Sequence, residues 1–200
     1  MISGILQAMN LKLIFQQSDA ELAKSCAKGD RKGQRLLYEK YEAKMFGVAK
    51  RYSSSMAQAE DILHDGFIKI FEKIGQFTTK GSLEGWMRTV IVSVALRTIQ
   101  KEKSNLYIEL NESLHDGALC AELGNLEAQD ILSIIAKLPS GYRAVLNLYA
   151  IEGYSHAEIA KKLKISVGTS KSQLARSRNL LRELIQKNFN YGIEGEQNAG

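Results

Sequence analysis

The hydrophobic and polar positions in the first half of this chain alternate with a helical period. Apolar residues recur every three or four positions in residues 19–51, 59–74 and 82–99. Breaks at residues 29–30 and 53–55 and a loop at 78–81 separate these stretches. The pattern therefore predicts four helices that form a small bundle with its own core. Ser82 is the predicted N-cap of the fourth helix, and its predicted apolar side contains Trp86, Val90, Val94 and Ile99.

A second helical region follows in the C-terminal part of the chain. Helical spacing resumes near Leu126, stops before Pro139-Ser140-Gly141 and continues over residues 142–151. A short helix over 154–163, a three-residue turn and a helix from Val167 to about Lys187 come next. A short helix, a tight turn and a longer helix are typical of a helix-turn-helix. The residues predicted to face inward from the second helix are Val167, Ser170, Leu174 and Leu181.

The outward face of that second helix has the chemistry of a DNA-reading surface. Helical spacing brings together Lys171, Ser172, Ala175, Arg176 and Asn179. In a major groove, Lys and Arg reach guanine acceptors and phosphates, and Ser contacts either base edge. With Thr169 and Gln173 from the same helix, these residues are the predicted DNA contacts.

Charge divides the chain into three parts. Residues 21–103 contain 16 bases and 10 acids, residues 104–136 contain six acids and no base, and residues 137–187 contain ten bases and three acids. Two basic bodies on an acidic connector indicate a long polyanionic partner, and nucleic acid is the first expectation. We expect domains at residues 20–103 and 131–187, a flexible linker at 104–130 and a tail at 188–200.

Composition narrows the class of protein further. One proline in 200 residues is consistent with an almost wholly helical, all-α chain. The two cysteines form no CxxC motif and the three histidines are scattered, so we expect no disulfide framework, metal or cofactor. No apolar run approaches the roughly 20 residues of a membrane span, and no signal peptide is recognised. A cytoplasmic protein that is not an enzyme is expected, since no catalytic pair or phosphate loop is visible.

Several segments resemble the extracytoplasmic-function (ECF) sigma factors of the sigma-70 family. Residues 138–148, 152–155, 158–160 and 165–172 resemble the C-terminal domain of that family. Residues 59–71 resemble its polymerase-binding helix, and Trp86 with the helix after it resembles its strand-opening segment. The resemblance covers residues 20–187. It implies an alternative sigma factor with two small helical domains, which directs core RNA polymerase to specific promoters.

The resemblance also implies partners and site residues. The residues at the positions that dock on the polymerase β′ coiled coil are Asp61, Asp65, Phe67, Ile68 and Phe71. Those at the positions that open and capture the −10 element are Lys80, Ser82, Trp86, Arg88, Ser93, Arg97 and Lys101. The recognition helix corresponds to the part that reads the −35 element. Further implied partners are the polymerase β flap and a membrane-anchored anti-sigma factor, and no small-molecule substrate is implied.

Some alternatives stay open at this stage. Trp86 is either a base-stacking residue or part of the core, and the same choice applies to Phe67 and Phe71. Ser170 stands where the family usually has a buried Val, so looser packing of the recognition helix is expected there. The chain is alternatively a helix-turn-helix regulator, or an adaptor that binds polymerase without reading promoters.

Overall fold

The computed structural model describes residues 18–78, 80–109 and 128–193, with side chains for residues 18–78, 80–101 and 132–185. Every regular element within these ranges is helical, which confirms the all-α prediction. The N-terminal helices are α1 (Asp19–Ala27), α2 (Arg31–Tyr52), α3 (Met56–Lys73) and α4 (Leu83–Glu109), with a 3-10 turn at Ile74–Gln76. The C-terminal helices are α5 (Ala128–Ala136), α6 (Ser140–Leu146), α7 (His156–Leu163) and α8 (Val167–Ile193), with a π-helical turn at Asn147–Ile151.

The chain divides into two compact units. Among the described residues, the first contains residues 18–49 together with Ala59–Ala95, and the second contains Lys50–Gln58 together with residues 96–109 and 128–193. The four helices α1–α4 occur where the sequence predicted four N-terminal helices, so that prediction is confirmed.

The core of the first unit is built from one apolar side of each helix. The buried side chains are Leu22 and Cys26 of α1, Leu37, Tyr41 and Met45 of α2, Ile62, Phe67 and Ile70 of α3, and Leu83, Met87 and Ile91 of α4. α3 approaches α4 closely at Gly66, where a Cβ atom would overlap the end of the Ile91 side chain. With the Ile91 side chain in this position, a residue without a Cβ atom is the one that fits opposite it without overlap.

Polar contacts attach the short helix α1 to this core. Ser18 caps α1 in a reciprocal capping box with Glu21. The Lys40 ammonium lies 2.8 Å from the Asp19 carboxylate. Burial of Asp19 opposes its ionisation, but hydrogen bonds from Lys40 and Tyr41 outweigh that effect and lower the pKa of Asp19 below its ordinary value.

In the second unit a buried arginine joins two helices. Arg143 of α6 is only 2% exposed, and its Nη1 donates a 2.6 Å hydrogen bond to the carbonyl of Ala136, the last residue of α5. The last carbonyls of a helix have no partner within the helix, and they attract a cation. Arg143 therefore satisfies an end of α5 that the fold buries.

Two helix ends and three side-chain positions differ from the sequence prediction. α4 continues to Glu109 and α8 to Ile193, because no Gly or Pro interrupts either helix near residue 104 or 187. Trp86 and Val90 are half-buried, since the core side of α4 is centred on Met87 and Ile91. Val167 is 43% exposed because it is the first residue of α8, before that helix reaches the core.

The described part of the chain contains neither a membrane-spanning helix nor a cluster of metal-ligating side chains. Within residues 18–78, 80–109 and 128–193, no helix is long and apolar enough to cross a membrane. The same part of the chain contains no group of three or more His, Cys, Asp or Glu residues arranged to hold a metal ion. The greater part of the acidic linker expected at 104–130 lies outside the described residues.

Candidate DNA- and polymerase-binding surfaces

α7, the turn after it and α8 form the predicted helix-turn-helix. Ser155 caps α7 in a capping box: its backbone N–H and its hydroxyl donate to the Glu158 carboxylate, and its Oγ accepts from the Glu158 N–H. These hydrogen bonds lower the pKa of Glu158 below its ordinary value. After the three-residue turn, Ser166 caps α8 by accepting a 2.9 Å hydrogen bond from the Thr169 N–H. A short α7, a tight turn and a longer α8 at these positions agree with the sequence prediction.

A side-chain hydrogen bond joins the two helices of the motif. Ser170 of α8 is fully buried, and its hydroxyl lies 2.9 Å from Nδ1 of His156, the first residue of α7. The His156 ring also stacks on Tyr149, with ring centroids 4.7 Å apart. Instead of the looser packing expected at Ser170, the structure shows a buried side chain with a specific polar contact. Sequence reasoning missed His156, although a buried hydroxyl by itself requires a partner.

α8 presents the predicted reading face to solvent. All five residues assigned to its outward side are exposed, namely Lys171, Ser172, Ala175, Arg176 and Asn179. The opposite side is buried at Ser170, Leu174 and Ser177, so the two faces of α8 are clearly separated. An exposed helix face of this kind, opened by a tight turn, is the geometry with which recognition helices enter a major groove.

The other two predicted contacts of α8 lie at the flank of this face. Thr169 and Gln173 are half-buried. The Thr169 hydroxyl is 2.8 Å from the Ser166 hydroxyl, so it takes part in the cap of the helix. The Gln173 side-chain oxygen is buried without a hydrogen-bond partner. Both residues therefore reach a groove less directly than the five exposed ones.

The structure adds two exposed cations to the same helix. Arg178 and Arg182 follow Lys171 at spacings of seven and eleven residues, which returns them to nearly the same side of α8. The Arg178 guanidinium lies 5.7 Å from the centroid of the Tyr149 ring. Arg182 donates a 3.4 Å hydrogen bond to the side chain of Asn179. Arg178 was absent from the predicted contacts, although its spacing from Lys171 was visible in the sequence.

α3 carries the predicted polymerase-docking residues, and one of them is placed differently. Asp61 and Asp65 are exposed, and Ile68 is 54% exposed on the same side of the helix. Phe67 is only 3% exposed, with its ring 4.5 Å from that of Tyr38. The structure therefore favours the core alternative for Phe67 over a docking contact. Phe71 is half-buried next to Phe67, with ring centroids 5.9 Å apart.

The residues predicted for the −10 element lie on α4 and in the loop before it. Four of them, Trp86, Ser93, Arg97 and Lys101, share one side of α4, since their spacings of seven, four and four match the helical repeat. Lys80 and Ser82 are exposed in the preceding loop, and the Ser82 hydroxyl accepts a 3.1 Å hydrogen bond from the Gly85 N–H. Thr79 in this loop lies outside the described residues.

Arg88 does not share this side of α4. It lies two residues after Trp86, which turns its side chain by about 200° around the helix, toward the core side. It is half-buried there. Its assignment to the −10 surface is therefore not supported by the geometry. Trp86 is half-buried, with its ring 5.9 Å from that of Phe77, so part of the indole is accessible.

Comparison with known proteins assigns the helices that carry these three surfaces to one family. Residues 37–105 match the family model described as Sigma-70 region 2, and residues 128–181 match Sigma-70, region 4. The chain is 28% identical to the ECF RNA polymerase sigma factor SigW of Bacillus subtilis, over 82% of this chain and 94% of that protein. It is 25% identical to the ECF RNA polymerase sigma-E factor of Escherichia coli, over 86% of this chain and 96% of that protein.

A solved structure has the same fold. The sigma factor RpoE of Bartonella quintana, crystallised in complex with the anti-sigma factor NepR, matches with a TM-score of 0.51 and 24% identity, over 76% of this chain and 96% of that one. The two family regions occur here in the order and with the helical structure that the sequence predicted. This chain therefore belongs to the ECF sigma factors of the sigma-70 family.

Proposed function

We propose that this protein is an alternative sigma factor that binds core RNA polymerase and directs it to specific promoters. The observation that carries the proposal is the exposed face of α8, which displays Lys171, Ser172, Arg176 and Asn179 in a chain whose other half matches Sigma-70 region 2. Initiation requires one protein that holds polymerase and recognises two promoter elements. The protein catalyses no reaction itself, and it acts in the cytoplasm with its polymerase.

The first surface, on α3, docks on the β′ coiled coil of core polymerase. Asp61 and Asp65 lie four residues apart on one exposed side of α3, and neither forms an ion pair within the described residues. Ile68 adds an exposed apolar side chain next to them. Two acidic groups followed by an apolar side chain on one exposed side of a helix are complementary to a partner surface that carries basic and apolar residues.

The second surface, on α4 and the loop before it, captures the opened −10 element. Arg97 and Lys101 are exposed and lie on the same side of α4 as Trp86 and Ser93. Exposed cations hold the phosphates of a single strand, and an aromatic ring beside them stacks on a base. Lys80 and Ser82 extend this surface into the loop, where small polar groups can receive a flipped base.

The third surface, on α8, reads the −35 element in the major groove. Lys171 and Arg176 contact guanine acceptors or phosphates, and Ser172 and Asn179 contact base edges. The domains expected at residues 20–103 and 131–187 carry these surfaces on one chain. Linked modules bind more tightly together than either does alone, because the first contact raises the effective concentration of the second.

An anti-sigma factor anchored in the inner membrane holds the protein inactive until a signal releases it. The Bartonella quintana sigma factor RpoE was crystallised in complex with an anti-sigma factor, NepR. Two relatives that the chain matches over most of their length are named as ECF sigma factors. Purification from uninduced cells is expected to recover the protein with a stoichiometric inhibitor. Recovery of the free protein alone would contradict this part of the proposal.

Transcription from a promoter library tests the function as a whole. Purified core polymerase with this protein is expected to start transcription from a defined subset of fragments, and core polymerase alone is not. A polymerase-binding adaptor would bind core polymerase without selecting fragments. A helix-turn-helix regulator would bind a DNA sequence tightly without core polymerase. Either of these two results would refute the sigma-factor proposal.

Charge reversal tests the docking surface on α3. Asp61→Lys and Asp65→Lys are expected to weaken binding to core polymerase while the melting temperature stays nearly the same, since exposed substitutions change stability by about 0.5 kcal/mol or less. Glu60→Lys is the matched control, because Glu60 is an exposed acid of the same helix turned by about 100° from Asp61. Equal affinity of the two Asp variants and the control would remove α3 as the docking surface.

Substitution of Arg176 tests the reading face. Arg176→Ala is expected to cost roughly 1–3 kcal/mol at the preferred −35 element and to relax selection at one or two base positions. Arg176→Lys keeps the charge but loses the two-pronged geometry, so it is expected to keep phosphate-dependent affinity and lose selectivity. A panel of single-base variants measured at two salt concentrations separates the two effects. An even loss over the panel for Arg176→Ala would show that Arg176 contacts phosphate only.

A further inference from the structure

A lysine occupies the one backbone position of the helix-turn-helix that favours glycine. Lys164 follows the last residue of α7 with φ 55° and ψ 47°, in the left-handed region. Within the described residues it is the only non-glycine with a positive φ. An L-residue with a Cβ atom has a higher free energy in this conformation than glycine has. The lysine at residue 164 therefore strains the backbone locally, where a glycine would not.

The hydrogen bonds of the turn require this conformation. The Lys164 N–H donates to the Ala160 carbonyl, and the Ile165 N–H donates to the same carbonyl at 3.0 Å. The second of these bonds spans six residues, as in a Schellman motif, which places the residue between helix and turn in the left-handed region. This turn determines the position of Ser166, the cap at which α8 begins. The left-handed backbone conformation is therefore needed for the turn, but a lysine side chain at this position is not.

The surroundings of Lys164 within the described residues give its charge no partner. Its side chain is exposed and forms no ion pair or hydrogen bond there. A cation at the end of a helix is favoured by the helix dipole, but Lys161 and Lys162 already supply two in the last turn of α7. A third positive charge adds repulsion instead. A polyanion that binds at this turn would account for a lysine here, because its attraction to the ammonium would offset both the backbone strain and the charge repulsion.

We propose that Lys164 contacts a DNA backbone phosphate beside the groove that α8 enters, and that the protein retains a strained turn for this contact. The inference rests on the proposed function of α8 as the DNA-reading helix. Lys164 stands two residues before Ser166, the cap of that helix, and its side chain is exposed. Recognition helices enter the major groove with their N-terminal residues, so a lysine at this end of the helix is close to the phosphates that border the groove. The contact strengthens binding to every sequence and selects none.

Four variants of the full-length chain separate the charge from the strain. Lys164→Gly and Lys164→Asn remove the charge and accept the left-handed conformation, whereas Lys164→Arg keeps the charge and the strain. Lys137→Gln removes another exposed lysine of the second unit that lies outside the helix-turn-helix. Stability is measured by thermal unfolding, and binding is measured with a fluorescent duplex of random sequence at about 50 to 200 mM salt.

The expected results differ between the variants. Lys164→Gly and Lys164→Asn raise the melting temperature by a few degrees, yet weaken binding and flatten the plot of log K against log salt by about 0.9, the value for one phosphate contact. Lys164→Arg and Lys137→Gln keep the wild-type slope. The proposal is overturned if the slope of the Gly and Asn variants equals that of the wild type. It is equally overturned if Arg fails to preserve the slope, or if neither neutral variant is more stable.

Failure of this proposal is distinguishable from failure of the proposed function. Random-sequence DNA reports the phosphate contact whether or not the protein selects promoters. A second measurement uses core polymerase with a promoter fragment selected by the wild type, on which the neutral variants are expected to lose the same affinity as on random DNA. If the wild type selects promoters and Lys164 has no effect on either DNA, only the role of Lys164 is refuted.

Discussion

The contact between Gly66 and Ile91 allows a sharp test of how α3 packs on α4. A Cβ atom at residue 66 would overlap Cδ1 of Ile91, while Cγ1 of the same side chain would lie 3.4 Å away, an ordinary contact. Ile91→Val removes the overlapping Cδ1 atom and keeps the rest of the branched side chain. The alanine methyl group and the isoleucine Cδ1 atom therefore compete for one space in a core where Ile91 is fully buried.

The expected free energies follow from this geometry. Gly66→Ala gains up to about 1 kcal/mol of helix propensity and loses about 1–3 kcal/mol through overpacking, so it is neutral to destabilising. Ile91→Val loses about 0.5–1.5 kcal/mol, because it leaves a cavity. In the double variant the new methyl group fills that cavity without overlap and the helix propensity is retained. We expect the double variant to be more stable than either single variant, with a coupling energy of at least about 1 kcal/mol.

Urea unfolding followed by Trp86 fluorescence is the assay. Trp86 is the only tryptophan of the chain and lies in α4, in the same unit as Gly66 and Ile91, so its signal reports this unit. Ile74→Val is the control, because Ile74 is buried in the same unit but is not among the atoms nearest to the added Cβ. Gly66→Ala is expected to add to the control and to couple with Ile91→Val. Additive free energies in both pairs would refute the packing argument.

Three further predictions concern the helix caps and the buried thiol. Ser18→Ala and Ser155→Ala each remove a capping box, which destabilises the capped helix by about 1 kcal/mol. Native-state hydrogen exchange is therefore expected to show roughly fivefold weaker protection in α1 for Ser18→Ala and in α7 for Ser155→Ala, with the other helix unchanged. Equal effects of either variant on both helices would contradict this expectation. Hydrogen bonds from Ser155 hold the pKa of Glu158 below its ordinary 4.5. The ionised Glu158 carboxylate therefore stabilises the folded state at neutral pH, and this stabilisation is lost as the pH falls below 4.5 through the lowered pKa. The hydrogen-exchange protection of α7 should decline in that pH window in the wild type but much less in Ser155→Ala. Burial, followed by the nearby Asp30 charge, raises the pKa of Cys26 to about 11. In a Cys120→Ser background iodoacetamide should therefore label the protein at about pH 8 only after unfolding, and labelling of the native chain would show that α1 does not stay packed over this thiol on the core.

Local patterns in the sequence determined the helical class and most of the surfaces. The spacing of apolar residues located all four N-terminal helices and the helix-turn-helix, because a helix repeats every 3.6 residues whatever its partners are. The same repeat placed Lys171, Ser172, Arg176 and Asn179 on one exposed side of α8. Family motifs then supplied the function, since those motifs combine residue type with spacing.

Only the tertiary structure decided which of two neighbouring residues is buried. Phe67 and Ile68 are adjacent and apolar, yet Phe67 packs on Tyr38 of α2 while Ile68 faces outward. Arg88 likewise belongs to the core side of α4, although its type matched a phosphate-binding residue. Burial depends on where other helices cover the surface, and those helices come from distant parts of the sequence.

Pairwise contacts and backbone strain were also beyond the reach of the sequence. The hydrogen bond between His156 and Ser170 joins residues on two helices, and the close approach of Gly66 to Ile91 joins two others. The left-handed conformation of Lys164 follows from the hydrogen bonds that close the turn onto Ala160. Periodicity specifies which side of a helix is apolar, whereas the contact made by each side chain depends on the packing of that side against its neighbours.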